Sequence, residues 1–212
     1  MSDLDFTVDQ GAMARVVPEL RAHLHRIISS ARVLRAVGPG NDIPFYICPF
    51  APEDQLRMTE ECRTLIHDLA ADGVQVFELN LYDLMIETLQ ASGAWDHLEE
   101  FERNTPKGEL LVELTSLLNL EEVLIPAIRD RIAPEAFDVL FITGVGESFP
   151  VIRSHAIRNN LQSVLTDAPT VIFFPGRYSH GFATGSFLQT LCRIEENHYY
   201  RAHNLLHMRE AT

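Results

Sequence analysis

The chain has 212 residues, 46% of them hydrophobic and 22% charged, ordinary values for a globular domain able to bury a sizeable core. Its net charge of −13, with Lys107 the single lysine, opposes direct binding to nucleic acid, which needs clustered Lys and Arg to displace phosphate counterions. No apolar run approaches the roughly 20 residues that a bilayer-spanning helix needs, and Cys48, Cys62 and Cys192, an odd number with no CxxC pair, do not suggest a disulfide framework.

The acidic start, Met1 to Asp5, has no apolar stretch behind it and is no signal peptide, so the expectation is a cytoplasmic protein. Val17, Leu20, Leu24, Ile27, Ile28, Ala31 and Leu34 recur at helical spacing and predict one amphipathic helix over 12–37, ended by Gly38-Pro39-Gly40. Ile43 to Phe50 reads as the first strand, with its prolines near the ends where they do least harm. Pro52 suits the first turn of a helix running to about Ala71, Asp72-Gly73 ends it, and Val74 to Leu79 is the next strand, giving a βαβ unit. Residues 81–132 read as helices over Leu81–Ala91, Trp95–Arg103 and Glu109–Ile132, more than a crossover requires, and hence as a helical insertion. Asp138 to Thr143 is a buried strand; Gly144-Val145-Gly146 turns the chain, and Glu147 or Ser148 is expected to cap the helix that follows. Pro169 to Phe174 is a further buried strand, stopped by Pro175-Gly176. Phe187–Ile194 is compatible with strand or helix, Glu195-Glu196-Asn197 suits a turn, and Tyr199–Leu206 is a candidate last strand. The expectation for 1–212 is a single α/β domain, a three-layer α/β/α Rossmann-like fold with a mostly parallel sheet.

Parallel strands put their following loops on one edge of the sheet, where ligands of open α/β folds bind. Gly144, Gly146, Glu147, Pro175 and Gly176 belong to that edge. The turn lacks the lysine of a phosphate loop and the third glycine of a dinucleotide fingerprint, and Glu147 would repel phosphate; a tight strand-to-helix turn accounts for it. Arg177 and Tyr178 should sit on the loop after Pro175-Gly176, and with Tyr199, Tyr200 and Arg201 they are candidates for protein contact, since Arg and Tyr combine large area with hydrogen bonding. Cys192, His198, His203 and His207 would form a zinc site only by converging, which a terminal strand prevents. No serine or cysteine has a base paired to it by motif, so no catalytic residue, metal or cofactor is assigned.

The ordered set Phe141-Ile142-Thr143-Gly144-Val145-Gly146-Glu147-Ser148-Phe149-Pro150-Val151-Ile152-Arg153, Thr170 to Tyr178, and Asn197-His198-Tyr199-Tyr200-Arg201-Ala202 resembles the BrxB family of BREX bacteriophage-exclusion systems, most clearly over the last third of the chain. The resemblance implies work alongside a PglZ-like phosphatase-fold protein, a BrxC-like ATPase and a PglX-like methyltransferase, with no methyltransfer by this chain. The expected function is a non-catalytic adaptor in phage defence; a nucleotide-dependent or nuclease-like enzyme on the same sheet, or a metal-stabilised regulatory module, are the alternatives.

Overall fold

Strand β3 (Phe45–Phe50) is buried at all six positions, as its unbroken run of large apolar residues dictates for a strand covered on both faces. The structure, a computed structural model, describes residues 7–8, 13–35, 45–152, 168–181, 185–192, 194–196 and 202–209. Two short strands, β1 (Thr7–Val8) and β2 (Met13–Ala14), precede helices α1 (Pro18–Ile28) and α2 (Ala31–Leu34). After β3 a 3₁₀ turn leads into α3 (Gln55–Ala71) and then strand β4 (Val76–Asn80). Helices α4 (Leu81–Ala91), α5 (Trp95–Asn104), α6 (Lys107–Leu117) and α7 (Ile125–Ile132) follow, with one π turn over Leu120–Leu124. Strand β5 (Val139–Thr143), the short helix α8 (Val145–Ser148), and strands β6 (Thr170–Gly181), β7 (Gly185–Thr190), β8 (Ile194–Glu196) and β9 (His203–Asn204) complete the order.

The sheet runs β1-β2-β3-β6-β5-β4, and every neighbour from β2 to β4 is parallel. Consecutive strands β3 and β4 therefore lie apart, with β6 and β5 between them. The outer edge of β3 is shared: Ala14 pairs with Phe50 at its end, and β9 pairs with Tyr46 and Ile47 near its start. That cover blunts an edge that would otherwise be open to other chains.

Alternation along the strands sorts the side chains into two cores. Tyr46, Cys48, Phe50, Phe141 and Phe173 face α1 and α3, whose Leu20, Leu24, Ile27, Met58, Cys62, Leu65 and Leu69 recur at helical spacing. Phe45, Ile47, Leu140, Ile142 and Phe174 face the other way, onto Leu84 and Leu89 of α4 and Ile128 of α7. Each fully buried aliphatic side chain contributes about 1.5–3 kcal/mol of transfer free energy, so the two faces rather than any single bond hold the layers. The result is a mixed α/β fold with helices on both sides of a mostly parallel sheet, consistent with a Rossmann-like α/β/α architecture.

Several expected boundaries differ. The single helix over 12–37 is two helices preceded by a strand: Pro18 opens α1, and Ser30, extended at ψ 146°, breaks the path before α2 while its hydroxyl donates to the Ile27 carbonyl at 2.6 Å. The helix expected over 109–132 is interrupted at Asn119, whose side chain accepts from the backbone N–H of Glu121 and Glu122, both at 3.0 Å, and so starts a new helical segment. The cap after β5 is Gly144, at φ +70°, in place of Glu147 or Ser148. Glu195 and Glu196 lie in β8 instead of a turn. The helix expected from a cap at Glu147 or Ser148 does not begin there, since Phe149 is extended at ψ 139° and residues 149–152 form a turn; its remainder and the residues Tyr199, Tyr200 and Arg201 lie outside the described residues.

The largest correction concerns Pro175-Gly176, which does not stop the strand. Strand β6 continues to Gly181, leaving the parallel sheet to form an antiparallel ribbon with β7, and β7 pairs in turn with β8. Leu140 N–H donates to Pro169 O toward β5, so by alternation the ring nitrogen of Pro175 also points to the β5 side. Pairing with β5 has ended by Ile172. The missing N–H therefore removes no ladder bond, and the Pro175 carbonyl accepts from Leu191 N–H at 2.9 Å. A Cβ on Gly176 would overlap the Gln189 carbonyl and sit 2.8 Å from the Phe174 ring, so only glycine permits this crossing of strands.

Candidate functional site

The parallel strands end together, and Ala51, Asn80, Gly144 and Pro175 carry the chain out at one edge. Asn80 Oδ1 accepts from Tyr82 N–H at 3.0 Å and Asp83 N–H at 3.2 Å, capping α4. Gly144 packs directly on that cap: a Cβ there would overlap Asn80 Oδ1 and lie 2.9 Å from Tyr82 N. Two residues on, a Cβ at Gly146 would stand 2.7 Å from Pro175 Cγ. Gln55 Nε2 donates to Glu147 Oε1 at 2.9 Å, joining the start of α3 to α8 across the same edge. Thr143 Oγ1 donates to Glu78 Oε1 at 2.7 Å. The glycine turn thus fits against the chain itself, and its glycines are explained by close packing.

Beside it, the segment after β2 is fastened by Asp54, whose carboxylate is 6% exposed. Oδ1 accepts from Arg15 Nη2 at 3.0 Å and Oδ2 accepts from Val16 N–H at 3.0 Å, while Arg15 also reaches Glu53 at 2.9 Å. Arg57 Nη1 donates to the Val16 carbonyl at 3.2 Å. Asp54 and Arg15 were not among the candidates legible in sequence; an acidic residue in the first turn of a helix is the only local signal, and it does not name Arg15 as its partner.

The expected protein-contact pair separates. Tyr178 is 2% exposed, packed in the core formed with α4 and α7, and its hydroxyl donates to the Ala202 carbonyl at 2.8 Å. It is not on a loop and offers a partner no surface. The period-two pattern Ile172, Phe174, Gly176, Tyr178 already puts it on that face once the strand is allowed to pass the proline. Arg177, its neighbour on the opposite face, is half-buried and stands across from Gln189 of β7.

The histidines and cysteines are dispersed. His23 is buried and donates through Nε2 to the Leu205 carbonyl at 2.9 Å; burial lowers its pKa below 6.5. His203 lies over Tyr46 with ring centroids 5.8 Å apart, and Cys192 Sγ meets Met13 Sδ at 3.6 Å. Burial pushes the Cys48 thiol up to about 12, which removes it as a nucleophile at neutral pH. Among the described residues no three His, Cys, Asp or Glu side chains gather as a metal ion would need, and no helix is long and apolar enough to cross a membrane.

The family model described as BREX protein BrxB matches residues 77–205, from β4 through β9. The chain belongs to the BrxB family. It is 32% identical over 183 residues to the BREX protein BrxB of Bacillus cereus (strain H3081.97), covering 84% of this chain and 92% of that one. To the BREX protein BrxB of Escherichia coli O9:H4 (strain HS) it is 28% identical over 192 residues, covering 89% and 92%. The likeness to BrxB proteins thus extends well beyond the last third, through helices α4 to α7. No solved structure matches. As a BrxB family member the chain is a protein of BREX phage-defence systems.

Proposed function

We propose that this chain serves its BREX system as a non-catalytic adaptor that joins other components by protein–protein contact. The observation that carries the reading is the filled sheet edge: Gly146 lies against Pro175, and Gln55 bonds Glu147 across the place where an α/β ligand would sit. The partners that the family resemblance suggests are a PglZ-like phosphatase-fold protein, a BrxC-like ATPase and a PglX-like methyltransferase. Arg177, Tyr199, Tyr200 and Arg201 stay as candidate contacts; the buried Tyr178 leaves that set.

The test is co-expression of the tagged chain with these components, followed by size-exclusion chromatography. Stoichiometric co-elution with at least one of them is the expected result. Elution of the chain by itself from the complete set would defeat the adaptor reading. An ATP titration supplies the second arm: binding should be no tighter than the millimolar range, on the order of −4 kcal/mol. Micromolar, magnesium-dependent binding abolished by changing Gly146 would favour an enzyme.

A further inference from the structure

Helix α5 is amphipathic in sequence, yet none of its residues is buried. Leu98 packs toward the core under α4, and Trp95 and Phe101, each three residues away, lie about 60° to either side of it on the helix surface. Trp95 is 41% exposed and Phe101 37%; Val112 on the next helix is 70% exposed. Aromatic residues of this size dominate both cores and interfaces, and an amphipathic helix whose apolar side the chain covers only in part offers the remainder to another surface.

The charges around these groups state what kind of surface. Helices α5 and α6 carry Asp96, Glu99, Glu100, Glu102, Glu109 and Glu113 against only Arg103 and Lys107. Both cations are already engaged, Arg103 with Glu99 and Lys107 with Glu102. Among the described residues no cation approaches Asp96, Glu100, Glu109 or Glu113. A second copy of this chain would bring like charges together across a two-fold contact, which costs affinity. Nucleic acid is disfavoured by the same sign.

We propose that the α5–α6 hairpin is the docking surface for a basic amphipathic segment of a partner protein, with apolar side chains seated on Trp95 and Phe101 and Arg or Lys groups facing the unpaired carboxylates. This rests on the adaptor reading and names the surface and the partner's chemistry. Trp95 is the single tryptophan of the chain, so its emission reports directly on the site.

The full chain is titrated with a tryptophan-free synthetic amphipathic helix carrying Leu along one face and Arg along the other, and separately with its Leu/Glu counterpart. The expected result is a saturable blue shift with the Arg helix, at least about tenfold weaker with the Glu helix and about tenfold weaker in Phe101→Glu, a modest hot-spot loss. Thermal melts establish that Phe101→Glu is folded; Phe101→Gln repeats the test should it not be. Equal response to both helices, no response, or an emission already blue-shifted in the free chain overturns the proposal. In the co-expression assay, loss of the partner by Phe101→Glu with an unchanged melt supports it. Retention of the partner refutes this surface while leaving the adaptor role standing, whereas failure of the unaltered chain to co-elute strikes the adaptor role itself.

Discussion

Tyr178→Phe deletes one hydroxyl and leaves the Ala202 carbonyl without its 2.8 Å donor in a partly buried setting. A neutral buried hydrogen bond is worth about 1 kcal/mol net, which for a chain of this size lowers the melting temperature by about 2–4 °C. Tyr178→Ala removes the ring as well, from a site 2% exposed beside Phe174, and should cost about 3–5 kcal/mol through lost transfer energy and the cavity left behind. Urea unfolding followed by circular dichroism measures both, provided the transition midpoint shifts without a change of slope. The ordering Phe mild, Ala severe is the signature of a core tyrosine whose hydroxyl ties strand β6 to the segment before β9. If Tyr178→Ala stayed within about 1 kcal/mol of the unaltered protein, burial would be wrong and the contact role originally expected of this residue would return. Because Tyr178 is core, replacing it would mix lost packing with any lost contact; Arg177→Ala is the informative variant for an interface.

Asp54→Ala strips the buried acceptor of Arg15 and leaves Val16 N–H unsatisfied, with an expected loss of about 2–3 kcal/mol by urea titration. An effect below about 0.5 kcal/mol would show the clamp to be idle. Gly146→Ala drives a methyl to within 2.7 Å of Pro175 Cγ and should lower stability by about 1–3 kcal/mol in a thermal melt, and a neutral result would mean the edge has slack. His23 has its pKa lowered by burial, so the unfolded chain takes up a proton that the folded chain resists; stability is full above about pH 6.5 and falls as pH drops below it. Comparing unfolding midpoints at roughly pH 7.5 and 5.5 in the native protein and in His23→Gln should show a smaller loss in the variant, and identical losses would assign the acid sensitivity elsewhere.

What the sequence disclosed followed from unbroken apolar runs and from end signals. Strands β3, β5 and the first half of β6 were legible because their apolar residues follow one another without interruption, helix α3 because Pro52 and Asp72-Gly73 mark its ends, and the helical character of 81–132 because helical runs fill the sequence between two strands. What escaped depended on partners far along the chain. Asp54 looks like an ordinary first-turn carboxylate until Arg15 is brought to it, and Glu147 looks like a helix cap until Gln55 claims it. Pro175-Gly176 looked like a terminator since the rule for proline assumes neighbours on both sides of the strand; here β5 had ended. The family resemblance, carried by residues 141–153, 170–178 and 197–202, pointed to the setting in phage defence, and geometry then withdrew Tyr178 from the surface.

The order of the strands has a consequence for how this protein is made. Phe45 pairs with Thr170 and Phe50 with Pro175, so β3, apart from its touch with Ala14, waits for more than half the chain to be translated before its neighbour in the sheet exists. Strands β4 and β5 can associate earlier, but they remain separated from β3 until β6 is laid between them. A ribosome-bound chain halted before Thr170 therefore holds two unjoined halves of a sheet, with the backbone edge of β3 that β6 will cover still open, and co-translational folding is completed only as the last fifth emerges. Non-local pairing of this kind slows closure and makes the nascent chain, rather than the finished protein, the species most exposed to aggregation.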